Sequence, residues 1–151
     1  MHPCDTCWTV ERCYLLTFHL CARAKVLSLE PLASCPRLRA LDARFCTALS
    51  DLKPLTACSL HTLLLTGCTR LTDASPLAEC RSLKLLDLAG CTGVRDVTPV
   101  LEGCRELVRV EVRGCDPLLA KQVQQAKRTL PRRKVKGGSP GSHLLKGGST
   151  R

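Results

Sequence analysis

Between residues 38 and 115 the apolar positions recur on a fixed beat. Four segments superimpose: LRALDARFC from Leu38, LHTLLLTGC from Leu60, LKLLDLAGC from Leu83 and LVRVEVRGC from Leu107. Each reads L-x-x-L-x-L-x-x-C, with Val or Ala as substitutes at the apolar places. The inner L-x-L alternation predicts a short strand with one buried face. The closing cysteines, Cys46, Cys68, Cys91 and Cys115, are 22, 23 and 24 residues apart. A second set, Cys13, Cys35, Cys58, Cys80 and Cys104, is spaced 22, 23, 22 and 24. Prolines 31, 54, 76 and 99 mark the same period, each followed by Leu or Val. Three markers sharing one period define a repeat array.

The register extends towards the N-terminus. Leu15, Phe18 and Leu20 take the places of the three apolar strand residues, and Val26, Leu29 and Pro31 match Leu71, Ala74 and Pro76. A degenerate first repeat therefore runs from about Leu15 to Cys35, behind a leader or ragged cap at 1–12. The repeat body covers 13–118. Within it, Ser75 and Thr98 precede a proline and predict helix N-caps with Pro at the first helical position. Glu30 and Lys53 stand in the same place, which predicts poorer caps there. Residues 116–130 predict a helix: Asp116 as N-cap, Pro117 next, then Leu119, Val123, Ala126 and Leu130 at helical spacing. Such a helix would cover the last repeat, as solenoid ends require.

The pattern resembles the leucine-rich repeat family over roughly residues 13–118. The D-x-x-P-L element (Asp51 to Leu55, Asp73 to Leu77) is similar to the short internalin-like class of about 22 residues. The G-C-T of Gly67 to Thr69 and Gly90 to Thr92 is similar to the cysteine-containing class, where Cys replaces the usual Asn. The resemblance implies an α/β repeat solenoid, with a short parallel β-sheet on the concave face and helical turns behind. It also implies a non-catalytic scaffold or adaptor that binds a protein partner.

Nine of the 12 cysteines are thus repeat markers. Buried Cys behaves as a small hydrophobe. Side chains in register on neighbouring rungs point the same way, which disfavours disulfides between them. A reduced, intracellular thiol core is the expectation, cytoplasmic or nuclear. Cys4 and Cys7 form a CxxC, one zinc half-site, but no second half-site has paired spacing, so incidental thiols are favoured and no metal or cofactor is expected. The histidines lack a nucleophile or carboxylate at motif spacing, and no catalytic constellation results. An apolar run at Tyr14–Ala22 followed by Ala22-Arg23-Ala24 has the form of a signal peptide. The acidic residues before it, and the repeat register that already explains it, argue against secretion. No run approaches the ~20 apolar residues of a membrane span.

The net charge of +10 is two quantities. Residues 1–120 hold 14 bases and 13 acids, whereas 121–151 hold nine bases and no acid. From Pro131 the tail is rich in Gly, Ser, Lys and Arg and is expected to be disordered. Lys127, Arg128, Arg132, Arg133, Lys134 and Lys136 are the candidates for contact with nucleic acid or an acidic partner. The second candidate surface is the concave sheet. Its solvent-facing rows contain Thr17, Ala40, Thr62, Leu85 and Arg109; His19, Asp42, Leu64, Asp87 and Glu111; Cys21, Arg44, Thr66, Ala89 and Arg113. An apolar middle with a charged rim suits a modest protein partner, on a sheet spanning roughly 20–25 Å. The competing expectation is ordinary solvated cross-strand charge pairs, Asp42 with the neighbours of Arg44 and Glu111 with Arg109 or Arg113. An aromatic content of 3% makes a base-stacking platform hard to build. A protein-interaction module is the leading reading; a nuclear or ribonucleoprotein-associated factor anchored by the tail is the alternative.

Overall fold

The computed structural model describes residues 17–20 and 26–129. Five three-residue strands, β1 (Thr17–His19), β2 (Ala40–Asp42), β3 (Thr62–Leu64), β4 (Leu85–Asp87) and β5 (Arg109–Glu111), form one sheet. All pairings are parallel and the strand order follows the chain. Parallel neighbours need a crossover, and each rung supplies one. Three are 3-10 helices, Glu30–Ser34, Lys53–Ala57 and Ser75–Glu79; the fourth is α1 (Thr98–Gly103). After β5 comes α2 (Pro117–Thr129). This is the repeat solenoid that the sequence period implies, and no helix among the described residues is long and apolar enough to cross a membrane.

The register stacks like on like. Phe18, Leu41, Leu63, Leu86 and Val110 form one inner row across the sheet. Leu63, Leu65, Leu86 and Leu88 have no solvent exposure, and full burial of such a side chain stabilises by about 1.5–3 kcal/mol. The core is therefore a set of ladders in which every rung contributes an apolar side chain at the same height. The residue after each D-x-x-P element is a leucine in the middle of the helical turn and in the core, Leu55 and Leu77.

The cysteine positions acquire a second reason beyond size. Six of the eight described thiols donate to a carbonyl of the preceding rung, in one ladder Cys58 to Leu32 at 3.2 Å, Cys80 to Leu55 at 3.6 Å and Cys104 to Leu77 at 3.0 Å. The other ladder repeats this, Cys68 to Ala43 at 3.2 Å, Cys91 to Leu65 at 3.1 Å and Cys115 to Leu88 at 2.9 Å. The accepting residue is always three before the previous rung's cysteine, and its carbonyl also receives that cysteine's own N–H. A Ser would fit the hydrogen bond but bury a stronger polar group. An Ala would leave the carbonyl half-satisfied. All eight described cysteines are free thiols. Burial pushes Cys58 up to about 11 and Cys80 up to about 12, and raises Cys46 and Cys115 as well.

The helix caps differ from expectation. Ser75 and Thr98 are the first residues of their helices, and no residue immediately ahead of the four short helices makes a side-chain capping bond. Instead an aspartate two positions earlier accepts the first N–H: Asp51 from Lys53 (2.9 Å), Asp73 from Ser75 (2.8 Å) and Asp96 from Thr98 (2.8 Å). Ser28 does the same for Glu30 at 3.1 Å. Lys53 and Glu30 therefore open turns no worse capped than the others. A side chain that bonds the backbone two residues on, an Asx turn at three helices and its serine counterpart at the first, takes the place of the expected N-cap.

At α2, Asp116 accepts the N–H of Leu118 through its side chain (2.9 Å) and of Leu119 through its carbonyl (3.0 Å), as an N-cap does. Leu119 and Val123 enter the core. Gln122, silent in the repeat pattern, ties α2 to the loop before α1: its Oε1 accepts the Val97 N–H at 3.0 Å and its Nε2 donates to the Arg95 carbonyl at 3.4 Å.

Candidate functional site

The open face of the sheet carries the predicted rows in the predicted order. Thr17, Ala40, Thr62, Leu85 and Arg109 are in register, as are His19, Asp42, Leu64, Asp87 and Glu111. The helical turns pack on one another in series behind the sheet. Thr62, Leu64, Thr66, Leu85 and Asp87 remain half-buried, and Arg44, Arg109 and Arg113 exposed. Cys21 lies outside the described residues.

Glu111 pairs with Arg109 and Arg113 as expected, whereas Asp42 takes Arg44 itself rather than only its neighbours. Most pairs run along one strand, between residues two apart, because i and i+2 project from the same face. Arg44 donates to Asp42 through Nε (2.8 Å) and Nη2 (2.7 Å). Arg109 does the same to Glu111, Nε and Nη2 both at 2.8 Å, while Arg113 Nε stands 3.4 Å from the other carboxylate oxygen. Across strands, Thr66 donates to Asp87 at 2.9 Å, and His19 lies 3.4 Å from Asp42. The Arg44 guanidinium holds the Asp42 carboxyl down to about 2. The acids are thereby consumed. The Glu111 side chain is 6% exposed beneath guanidiniums that are 50% and 69% exposed.

What the face offers a partner is accordingly one-sided in its geometry. Neighbouring leucines, Leu64 and Leu85, occupy the middle. Guanidinium edges stand proud at both ends, Arg44 on one side and Arg109 with Arg113 on the other. Their carboxylate partners sit below and keep them oriented. No group of three or more His, Cys, Asp or Glu among the described residues could hold a metal ion; Cys4 and Cys7 lie outside them. The tail candidates divide in the same way. Lys127 is half-buried on α2, Arg128 lies in the same helix, and Arg132, Arg133, Lys134 and Lys136 are outside the described residues.

Two features escaped the sequence reading. After β3, β4 and β5 the residue before the rung cysteine is a glycine with positive φ, Gly67 (76°), Gly90 (71°) and Gly114 (72°). After β2 the same conformation is held by Phe45 at φ 60°, with 53% of the residue exposed. The ring lies over Gly67, so that a Cβ there would meet Phe45 Cδ1 at 2.6 Å. The signal was available, since Phe45 interrupts a column of glycines. The second feature is a groove of about 350 Å³ at the far end of the sheet, between β5 and α2, lined by Val110, Val112, Gly114, Cys115, Val123 and Lys127 among others. It depends on the course of α2 and left no trace in the pattern.

No protein-family model matches the chain, and no curated protein matches it either. Among solved structures it is similar to internalin C2 of Listeria monocytogenes, with 15% identity over 76% of this chain and 57% of that one, at a TM-score of 0.45. It is also similar to a second internalin of that organism, with 16% identity over 73% of this chain and 50% of that one, at a TM-score of 0.26. The chain thus spans about half the length of each.

Proposed function

We propose that this chain is a non-catalytic protein-binding module that presents the open face of its sheet to one partner. The observation that carries this reading is the half-exposed Leu64 and Leu85 pair between guanidiniums fixed by buried carboxylates. A face meant only for solvent has no need to fix its arginines over acids sequestered from water. The partner it fits is a small surface with an apolar centre and carboxylates at the edge. On this reading α2 closes the array, and the buried thiol ladders belong to a reducing compartment.

The test is affinity capture with the full chain beside a Leu85→Glu variant, with circular dichroism as the folding control. Loss of a captured partner by the variant, with retention by a variant in which the tail bases are neutralised, supports the open face. Equal capture by the wild type and Leu85→Glu overturns it.

The basic tail supports a second reading, contact with a polyanion, because nine bases without an acid are concentrated in residues 121–151. Binding to RNA or DNA at low salt that weakens steeply as salt rises would be its signature. Binding that survives neutralising the tail bases would remove it.

A further inference from the structure

The sheet passes a fixed set of hydrogen bonds from rung to rung. Ala43 and Phe45 donate to Leu64 and Thr66 (2.8 and 2.7 Å), Leu65 and Gly67 to Asp87 and Ala89 (2.8 and 2.7 Å), Leu88 and Gly90 to Glu111 and Arg113 (2.8 and 2.7 Å). The equivalent donors of the last rung are the N–H groups of Val112 and Gly114. Among the described residues no acceptor meets either. In the same way the carbonyls of Arg39, His61 and Lys84 each take two N–H groups from the following rung, and Val108 holds that place at the end. Val110, in register with Leu41, Leu63 and Leu86, turns its N–H and C=O to the same open side. β5 is therefore an edge whose donors and acceptors form a template for a further strand.

The side chains of this rung differ from the others as well. Val108 is 48% exposed, where the earlier rungs carry Arg39, His61 and Lys84. Val112 is half-buried, where Ala43, Leu65 and Leu88 have no exposure. The groove of about 350 Å³ beside the edge is lined by Val110 and Val112.

The stretch reads Val108-Arg109-Val110-Glu111-Val112. Its apolar pattern is the same from either end, and its two charges are opposite. Laid antiparallel on itself about a two-fold axis through Val110, it matches in three ways. Val108 faces Val112 of the second copy and Val110 faces Val110 of the second copy, so valine covers valine. The Val112 N–H meets the Val108 carbonyl of the second copy, and the two Val110 residues exchange N–H and C=O. On the open face Arg109 stands opposite Glu111 of the second copy, a favourable cross-strand pair. Neighbouring registers fit less well. An axis through Glu111 sets Arg109 against Arg113 and Glu111 against itself. An axis through Val112 keeps a charge match but sets Val108 against Asp116.

We propose that the β5 edge is the site of self-association, two copies of this chain joining their sheets antiparallel about a two-fold axis at Val110. Such an interface is isologous and closes at two chains. It leaves Leu64 and Leu85 in the middle of each open face free for another partner.

Sedimentation equilibrium and amide hydrogen exchange of the full-length protein, each over a range of concentrations, test this. The mass should rise from one chain to two and stop there. Over the same range the Val112 amide should slow at least about tenfold, while Gly114 and Gly90 stay unchanged. Val112→Pro removes the edge donor, whose N–H has no acceptor among the described residues, at a place where an edge strand accepts proline. That variant should remain a single chain. The exchange comparison is made on the wild type, so it decides the matter even where the proline disturbs the last rung. A single chain at every concentration overturns the proposal. So does growth beyond two chains, a dimer whose Val112 amide exchanges as in the monomer, or a dimer that the folded proline variant retains. Val112 protection that is independent of concentration overturns it too, and protection of Gly114 in step with Val112 overturns the register.

Discussion

At the scale of single residues, the turn after each strand is governed by backbone conformation rather than by contacts. A Cβ at Gly90 would lie 3.6 Å from Gly67 N, an ordinary distance, so only its φ of 71° penalises a side chain there. Gly90→Ala should therefore cost about 1 kcal/mol in urea unfolding, the usual penalty for a left-handed non-glycine. Gly67→Ala has the same φ cost plus a ring in the way, Phe45 Cδ1 at 2.6 Å. It should cost more than Gly90→Ala, and in a double-mutant cycle Phe45→Ala should recover the excess. An excess that persists without the ring would show the turn itself, not Phe45, to be the constraint. The repeat alignment shows that Phe45 stands in a glycine column. It does not show that the ring folds back over the next rung, because that contact belongs to the stacking and not to the period.

At the scale of elements, the period was legible and the capping chemistry was misread. Ser75 and Thr98 have the residue type and the following proline that predict an N-cap. The chain ahead of each short helix instead brings Asp73 and Asp96 within 2.8 Å of the Ser75 and Thr98 N–H groups. The D-x-x-P element owes its aspartate to this bond. Asp73→Ala should lose about 1 kcal/mol, within the usual range for removing a cap. Ser75→Ala should stay within about 0.5 kcal/mol of the parent. Comparable losses for both substitutions in thermal or urea unfolding would return the capping role to the serine. The same limit explains the charge pairs of the open face. Alternation places Asp42 and Arg44, or Arg109 and Glu111, on one side of the sheet, and the rows are correct. Which neighbour a guanidinium chooses depends on side-chain reach, and the shorter path runs along the strand.

At the scale of the whole molecule, each thiol is a link in a chain of rungs, so its protonation state bears on the entire array. The nine repeat cysteines are recognisable from spacing, and the role of six of them as S–H donors to the preceding rung is not, since it requires the carbonyl to be in place. A donor thiol must keep its proton. Burial holds Cys58 and Cys80 protonated up to about 11 and about 12, while an unfolded cysteine ionises near pH 8.5. Above that pH the unfolded chain binds fewer protons than the folded one, so stability falls as pH rises. The contribution of these thiols is fully present below about pH 8.5 and is lost progressively towards their folded values, at up to roughly 1.4 kcal/mol per pH unit for each. Urea midpoints measured at pH 7, 8.5 and 10 should stay level over the first interval and drop over the second. Cys80→Ala lowers stability at pH 7 by vacating core volume, yet it should flatten the alkaline drop. A drop of the same slope in that variant would place the alkaline sensitivity elsewhere than in the thiol ladders.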